Sequence, residues 1–109
     1  MDISYKKEGK WSIASVSGRF DAQTSKDVDK QLMSHINLGD RYLALDLTNM
    51  NYMSSAGLRV LLSIRKVLKE LKGNFVLVNP NENILEVLEL SGFSRIFLIL
   101  NDCEGLQKL

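Results

Sequence analysis

Two adjacent hydroxyls, Ser54 and Ser55, stand directly before an apolar-periodic run that opens at Ala56. Serines at a helix start can do two things. A side-chain oxygen can cap the helix by accepting from an otherwise orphaned backbone N–H, and the positive end of the helix dipole can hold a phosphate. Either serine can be the cap, and the pair alone does not decide between a cap and a modification site. Two carboxylates follow strand-like apolar runs. Asp21 reads as a cap of the first helix, and Asp46 as a turn residue that shapes the loop before the serines by accepting backbone N–H groups. His35, the one histidine, precedes Ile36 in a helical run with no acidic or cysteine partner at ligand spacing, so it is expected to be a partly exposed helix residue. One cysteine, Cys103, excludes an internal disulfide and the usual thiolate metal site. There is no glycine-rich phosphate loop with its lysine, and no nucleophile has a base at a recognisable spacing. The expected chemistry is therefore binding and modification rather than catalysis, with no cofactor and no metal.

The elements that must position these residues follow from periodicity. Ile3–Lys7 and Trp11–Ser17 flank Glu8-Gly9-Lys10 and predict an N-terminal hairpin. Gly18-Arg19-Phe20-Asp21 breaks the strand pattern and leads into a helix from Thr24 to Asn37, where Val28, Leu32 and Ile36 step by four, with Thr24 or Asp21 near the cap. Arg41–Leu47 reads as an inner strand covered on both faces, followed by a short polar turn. From Ala56 to Lys72, at 100° per residue, Gly57, Val60, Leu61, Ile64, Val67, Leu68 and Leu71 form one core arc. Arg59, Ser63, Lys66 and Glu70 lie opposite, and Leu58, Leu62, Arg65, Lys69 and Lys72 run down one flank. Gly73 ends the helix, and Asn74–Val78 is a strand stopped by Asn79-Pro80. Asn81–Leu90 is a short helix with Ile84, Val87 and Leu88 inward and Gly92 as its terminal glycine. Ile96–Leu100 is a last strand, and Asp102 caps a short terminal helix carrying Leu106. Alternating strands and helices after a hairpin give an α/β fold, a mixed sheet of four to five strands packed against three to four helices.

The composition is that of an ordinary globular chain: 45% hydrophobic and 25% charged residues over a length suited to one domain, residues 1–109. A net charge of +1 gives no bulk electrostatic reason to bind nucleic acid or an acidic membrane. No apolar run approaches a membrane span and the N-terminus has no signal-like segment, so a cytoplasmic protein is expected.

The order strand, Asp46-Leu47, a few polar residues, Tyr52-Met53, then Ser54-Ser55-Ala56-Gly57-Leu58 and an amphipathic helix resembles the STAS domain of bacterial anti-sigma factor antagonists. Ser17-Gly18-Arg19-Phe20-Asp21 and Leu90-Ser91-Gly92-Phe93-Ser94-Arg95-Ile96-Phe97 match two further stretches of that family in the right order, so the resemblance covers nearly the whole chain. It implies a small mixed sheet with helices and a phosphoacceptor at Ser55, with Ser54, standing where the family most often has Asp, as the alternative. It also implies a partner, an anti-sigma factor serine kinase, and a PP2C-type serine phosphatase that reverses the modification. The partner surface would comprise Asp21, Ser54, Ser55, Ala56, Leu58, Arg59, Leu62 and Arg65, with Asp46 and Gly57 shaping the loop. The Leu58, Leu62, Arg65, Lys69 flank is either ordinary core coverage or a partner face of apolar anchors rimmed by basic residues. The molecule would act as a monomer or weak dimer. The alternative within the same resemblance is a STAS-type accessory or nucleotide-sensing subunit of a transport or signalling complex, in which Ser55 would be structural.

Overall fold

The computed structural model describes all 109 residues, and its elements run β1 (Asp2–Glu8), β2 (Trp11–Phe20), α1 (Thr24–Asn37), β3 (Tyr42–Met53), α2 (Ser55–Glu70), β4 (Asn74–Val78), α3 (Glu82–Leu90) and β5 (Leu98–Leu100). Two 3₁₀ helices add Phe93–Arg95 and Cys103–Lys108. The five strands lie in sequence order, β1-β2-β3-β4-β5. β1 is antiparallel to β2, and every later pair is parallel. Three successive right-handed crossovers that always step in the same direction put α1, α2 and α3 on one face of the sheet. Burial follows that layout. Val28, Leu32 and Ile36 of α1, Leu61, Ile64 and Leu68 of α2, and Ile84 and Leu88 of α3 share one cluster with Leu43, Leu45, Leu47, Phe75 and Leu77 of the sheet. The alternate residues Trp11, Ile13, Ala44, Val76 and Val78 point to the other face, where Leu106 of the terminal 3₁₀ helix covers them.

Several expected boundaries move, each for a local reason. The polar turn after Leu47 is absent: β3 continues to Met53, pairing with β2 through two register shifts that absorb the extra residues. β2 likewise does not break at Gly18 but runs to Phe20, with Gly18 at φ +102 beside one of those shifts. The core arc of α2 is narrower than its apolar content suggests. Gly57, Leu61, Ile64 and Leu68 are buried, Val60 and Val67 are half-buried, and Leu71 lies outside the arc, 42% exposed at the helix end. Arg59, Ser63, Lys66 and Glu70 face solvent as expected. β5 is only three residues long, because Phe93–Arg95 winds into a 3₁₀ turn and Ile96 faces out. Finally, the left-handed residue that ends α2 is Lys72, at φ 62. Gly73 is needed for contact, since a Cβ there would collide with the Arg41 carbonyl, where Asn74 N–H also donates at 2.8 Å to start the β3–β4 ladder.

Candidate functional site

The last β2–β3 rung, Phe20 opposite Met53, brings the loop after β2 and the start of α2 together at the carboxyl end of parallel strands. Open α/β sheets place their sites there. Ser54 N–H donates to the Phe20 carbonyl at 2.9 Å, fixing the point where β3 turns into α2. Ser54 then takes an extended backbone and its Oγ accepts from Gly57 N–H at 3.2 Å, so Ser54 is the N-cap. Ser55 is the first helical residue, exposed, with its hydroxyl engaged in no hydrogen bond within the chain. The two serines, equivalent by sequence, are thus separated by role: one hydroxyl is spent on the cap and the other faces water. Gly57 allows this close approach. A Cβ there would stand 2.6 Å from Phe20 Cδ2 and 3.0 Å from the Phe20 carbonyl oxygen.

Asp21 lies one residue beyond Phe20 and organises the start of α1. Its Oδ1 accepts from Gln23 N–H and Thr24 N–H, each at 3.0 Å, while Thr24 Oγ1 accepts in return from Asp21 N–H at 2.9 Å. This reciprocal exchange is that of a capping box. The Thr24 backbone N–H, with the Thr24 hydroxyl, Gln23 N–H and the Arg19 guanidinium, holds the Asp21 carboxyl below the usual carboxylate range against a smaller desolvation effect. A depressed folded-state pKa means stabilisation that is present above the unfolded value of about 3.9 and is lost as pH falls through the folded one. Asp21→Asn is therefore expected to be less stable than wild type near neutrality and to converge on it as pH falls below about 4, which flattens the acid limb of its stability–pH curve. Unfolding midpoints of the two proteins across that range test this, and parallel acid limbs would show that the carboxylate is not what titrates.

The remaining candidates are distributed unevenly. Ala56, Leu58, Arg59, Leu62 and Arg65 all lie on α2, as does Ser55. Arg59 is exposed, and Leu58 and Leu62 are half-buried with part of each packed against the main core, so neither leucine is free of it. Asp46 is not near the serine loop. Because β3 continues to Met53, eight residues and roughly 25 Å of strand separate it from Ser54. Its Oδ1 accepts from Thr48 N–H at 3.1 Å and Thr48 Oγ1 at 2.6 Å, next to the first register shift, and Ser15 Oγ donates to Oδ2 at 3.4 Å. The loop it shapes is the β3 irregularity, not the turn into α2. His35 does have an acidic partner, contrary to expectation. Gly39 at φ +116 reverses the chain after α1 and returns Asp40 to the helix end, with Asp40 Oδ2 3.3 Å from His35 Nδ1. The His35 ring also stacks on Tyr5 at 3.8 Å.

Two neighbours of the site escape sequence reasoning. Arg19 and Tyr52 are register partners in the rung before Phe20–Met53, and the guanidinium lies 4.0 Å over the Tyr52 ring while its Nε stands 3.8 Å from Asp21 Oδ2. Tyr52, 40% exposed, is the one aromatic among the strongly exposed large apolar residues. Each residue sits inside a recognised motif, but only the shifted register reveals that they stack. The surface here is not a cleft. The concave parts of the molecule are lined by other residues, and none includes Ser54 or Ser55.

A helix start presented on an open surface, with an aromatic–arginine pair and a carboxylate beside it, defines an α/β domain whose site suits a protein surface rather than a small molecule. The chain belongs to the STAS domain family, whose family model matches residues 2–105. It is 36% identical over 93 residues to a Bordetella bronchiseptica protein that carries the provisional name anti-sigma factor antagonist BtrV, covering 85% of this chain and 80% of the relative. It is 31% identical over 86 residues to the anti-sigma-B factor antagonist of Listeria monocytogenes, covering 79% and 75%. Among solved structures, the anti-sigma factor antagonist SpoIIAA in its unphosphorylated form superposes with a TM-score of 0.84 at 16% identity, covering 98% of this chain and 95% of that one. The phosphorylated form of the Bacillus protein gives 0.75 at 16% identity, covering 98% of each chain. At that identity the likeness speaks for the fold. No helix is long and apolar enough to cross a membrane.

Proposed function

We propose that this STAS domain is an anti-sigma factor antagonist that works in the cytoplasm as a partner switch. In the unphosphorylated state it binds an anti-sigma factor, itself a serine kinase, and so releases a sigma factor. Phosphorylation of Ser55 by that kinase ends the complex, and a PP2C-type serine phosphatase restores it. The names of the relatives support the antagonist role. The observation that favours Ser55 as the acceptor is the division of labour at the helix start: Ser54 Oγ is occupied by Gly57 N–H, and Ser55 Oγ is exposed and unengaged.

The physical basis of the switch is charge. A phosphoserine carries close to two negative charges, so packing it against a partner requires desolvating or repelling them. In the free domain the first N–H groups of α2 and its dipole favour an anion at the same place. Phosphorylation thus stabilises the free state without refolding the domain. Leu58, Leu62, Arg59 and Arg65 continue the surface along α2, and Asp21 with the Arg19–Tyr52 pair borders it on the other side.

Incubating the domain with its kinase and ATP and mapping the product by mass spectrometry tests the acceptor. Phosphate is expected on Ser55 alone. Ser55→Ala should abolish incorporation with little loss of stability. Ser54→Ala should still be phosphorylated and should lose about 1 kcal/mol, as removal of a cap does. Full incorporation into Ser55→Ala would move the acceptor to Ser54 or another hydroxyl.

A further inference from the structure

The far end of α2 from Ser55 borders a groove of about 230 Å³ between the C-terminal half of that helix, the start of β4 and the approach to β5. Phe75 forms its buried floor, Ile96 and Leu98 are 41% and 48% exposed along one wall, and Arg65 and Lys69 form the other. Neither cation takes part in any ion pair, and β5 leaves its outer edge unpaired beside the groove. The same molecule carries the complement. Glu82, Glu86 and Glu89 of α3 follow i, i+4, i+7 spacing on one exposed stripe, again without ion pairs, and Leu90, bordering that stripe, is 82% exposed.

We propose that these are the two halves of a self-complementary surface through which the chain forms a two-fold dimer. Leu90 of each copy enters the other's groove, and the α3 carboxylates meet Lys69 and Arg65. Leu90 and Ile96 are six residues apart in the chain, joined through the 3₁₀ turn, so stripe and groove are neighbours and a single two-fold axis satisfies both contacts at once. An apolar knob set against the Phe75 floor and the Ile96–Leu98 wall of a groove whose other wall is cationic has the layout of a specific interface, and like charges at the same positions would oppose it. Lys69 lies fourteen residues along α2 from Ser55, about 21 Å, so dimerisation leaves the helix start accessible, and Arg65, which lines the groove, is the one residue the two surfaces share.

Sedimentation equilibrium of the full chain tests this by charge exchange. The wild type is expected to dimerise with concentration and to dissociate as salt is raised. Lys69→Glu and Glu86→Lys should each weaken the dimer by at least about tenfold, because each homodimer then faces like charges in both contacts. An equimolar mixture of the two variants restores one wild-type contact and one reversed contact, so it should form a heterodimer of near wild-type affinity. The double variant should dimerise with itself for the same reason. A wild type that stays monomeric at every concentration, single variants that dimerise unchanged, or a mixture that fails to recover would each overturn the proposal. Circular dichroism of the two variants separates loss of association from loss of fold.

Discussion

Leu61→Ala is expected to lower the unfolding free energy by about 2–5 kcal/mol, while Leu62→Ala, one residue along the same helix, should cost far less. Leu61 has no exposed surface and sits among the α1, α2 and sheet residues of the main core, where truncation leaves a cavity that its neighbours cannot fill. Leu62 is half-buried and packs against that core from its margin, so much of the vacated space opens to solvent. Binding should rank the two the other way. On the proposed partner face Leu62 is an apolar anchor, worth upwards of about 2 kcal/mol on truncation, whereas Leu61 never reaches the partner. Denaturant unfolding and titration against the anti-sigma factor, run on both variants, measure the two orders. If Leu62→Ala unfolds as readily as Leu61→Ala and binds like wild type, the flank belongs to the core and the binding surface must lie on the Asp21 and Tyr52 side.

Gly57→Val should destabilise by roughly 1–3 kcal/mol, although valine is the better helix former. The reason is contact, not backbone conformation, because Gly57 is an ordinary helical residue. Its added side chain would press on the Phe20 ring, which is itself fully buried, and on the Phe20 carbonyl that receives Ser54 N–H. Relief must come from moving the start of α2 away from β2, which also carries the serines out of position. The variant should therefore lose partner binding beyond what its lowered stability explains. Thermal unfolding gives the first effect. Unchanged stability would mean that the helix start is held less firmly against Phe20 than its packing implies.

Periodicity carries most of this fold because most of its elements bury one face. The helix over Thr24–Asn37 and the buried positions Gly57, Leu61, Ile64 and Leu68 are legible from spacing alone. What spacing cannot show is where a strand stops when its end is polar. Thr48, Asn49 and Asn51 read as a turn, yet they continue β3 because β2 pairs with Asn49, Met50, Tyr52 and Met53, and two bulges in β3 absorb the extra residues between those rungs. The longer strand is what carries Asp46 away from the site. The pairing of His35 with Asp40 depends on the chain reversal at Gly39, and the stack of Arg19 on Tyr52 on a shifted register, so both are tertiary facts. Which of Ser54 and Ser55 caps α2 depends on the direction of one side chain, which only the folded helix start provides.

Phosphate on Ser55 is expected to separate the domain from its partner. The most direct measurement is calorimetric titration of the purified anti-sigma factor with unphosphorylated and with stoichiometrically Ser55-phosphorylated domain, alongside Ser55→Ala. Unphosphorylated and Ser55→Ala proteins are expected to bind with similar affinity, and the phosphorylated form to bind at least about a hundredfold more weakly, as a buried, unmatched double charge demands. Equal binding of the phosphorylated and unphosphorylated forms would contradict it.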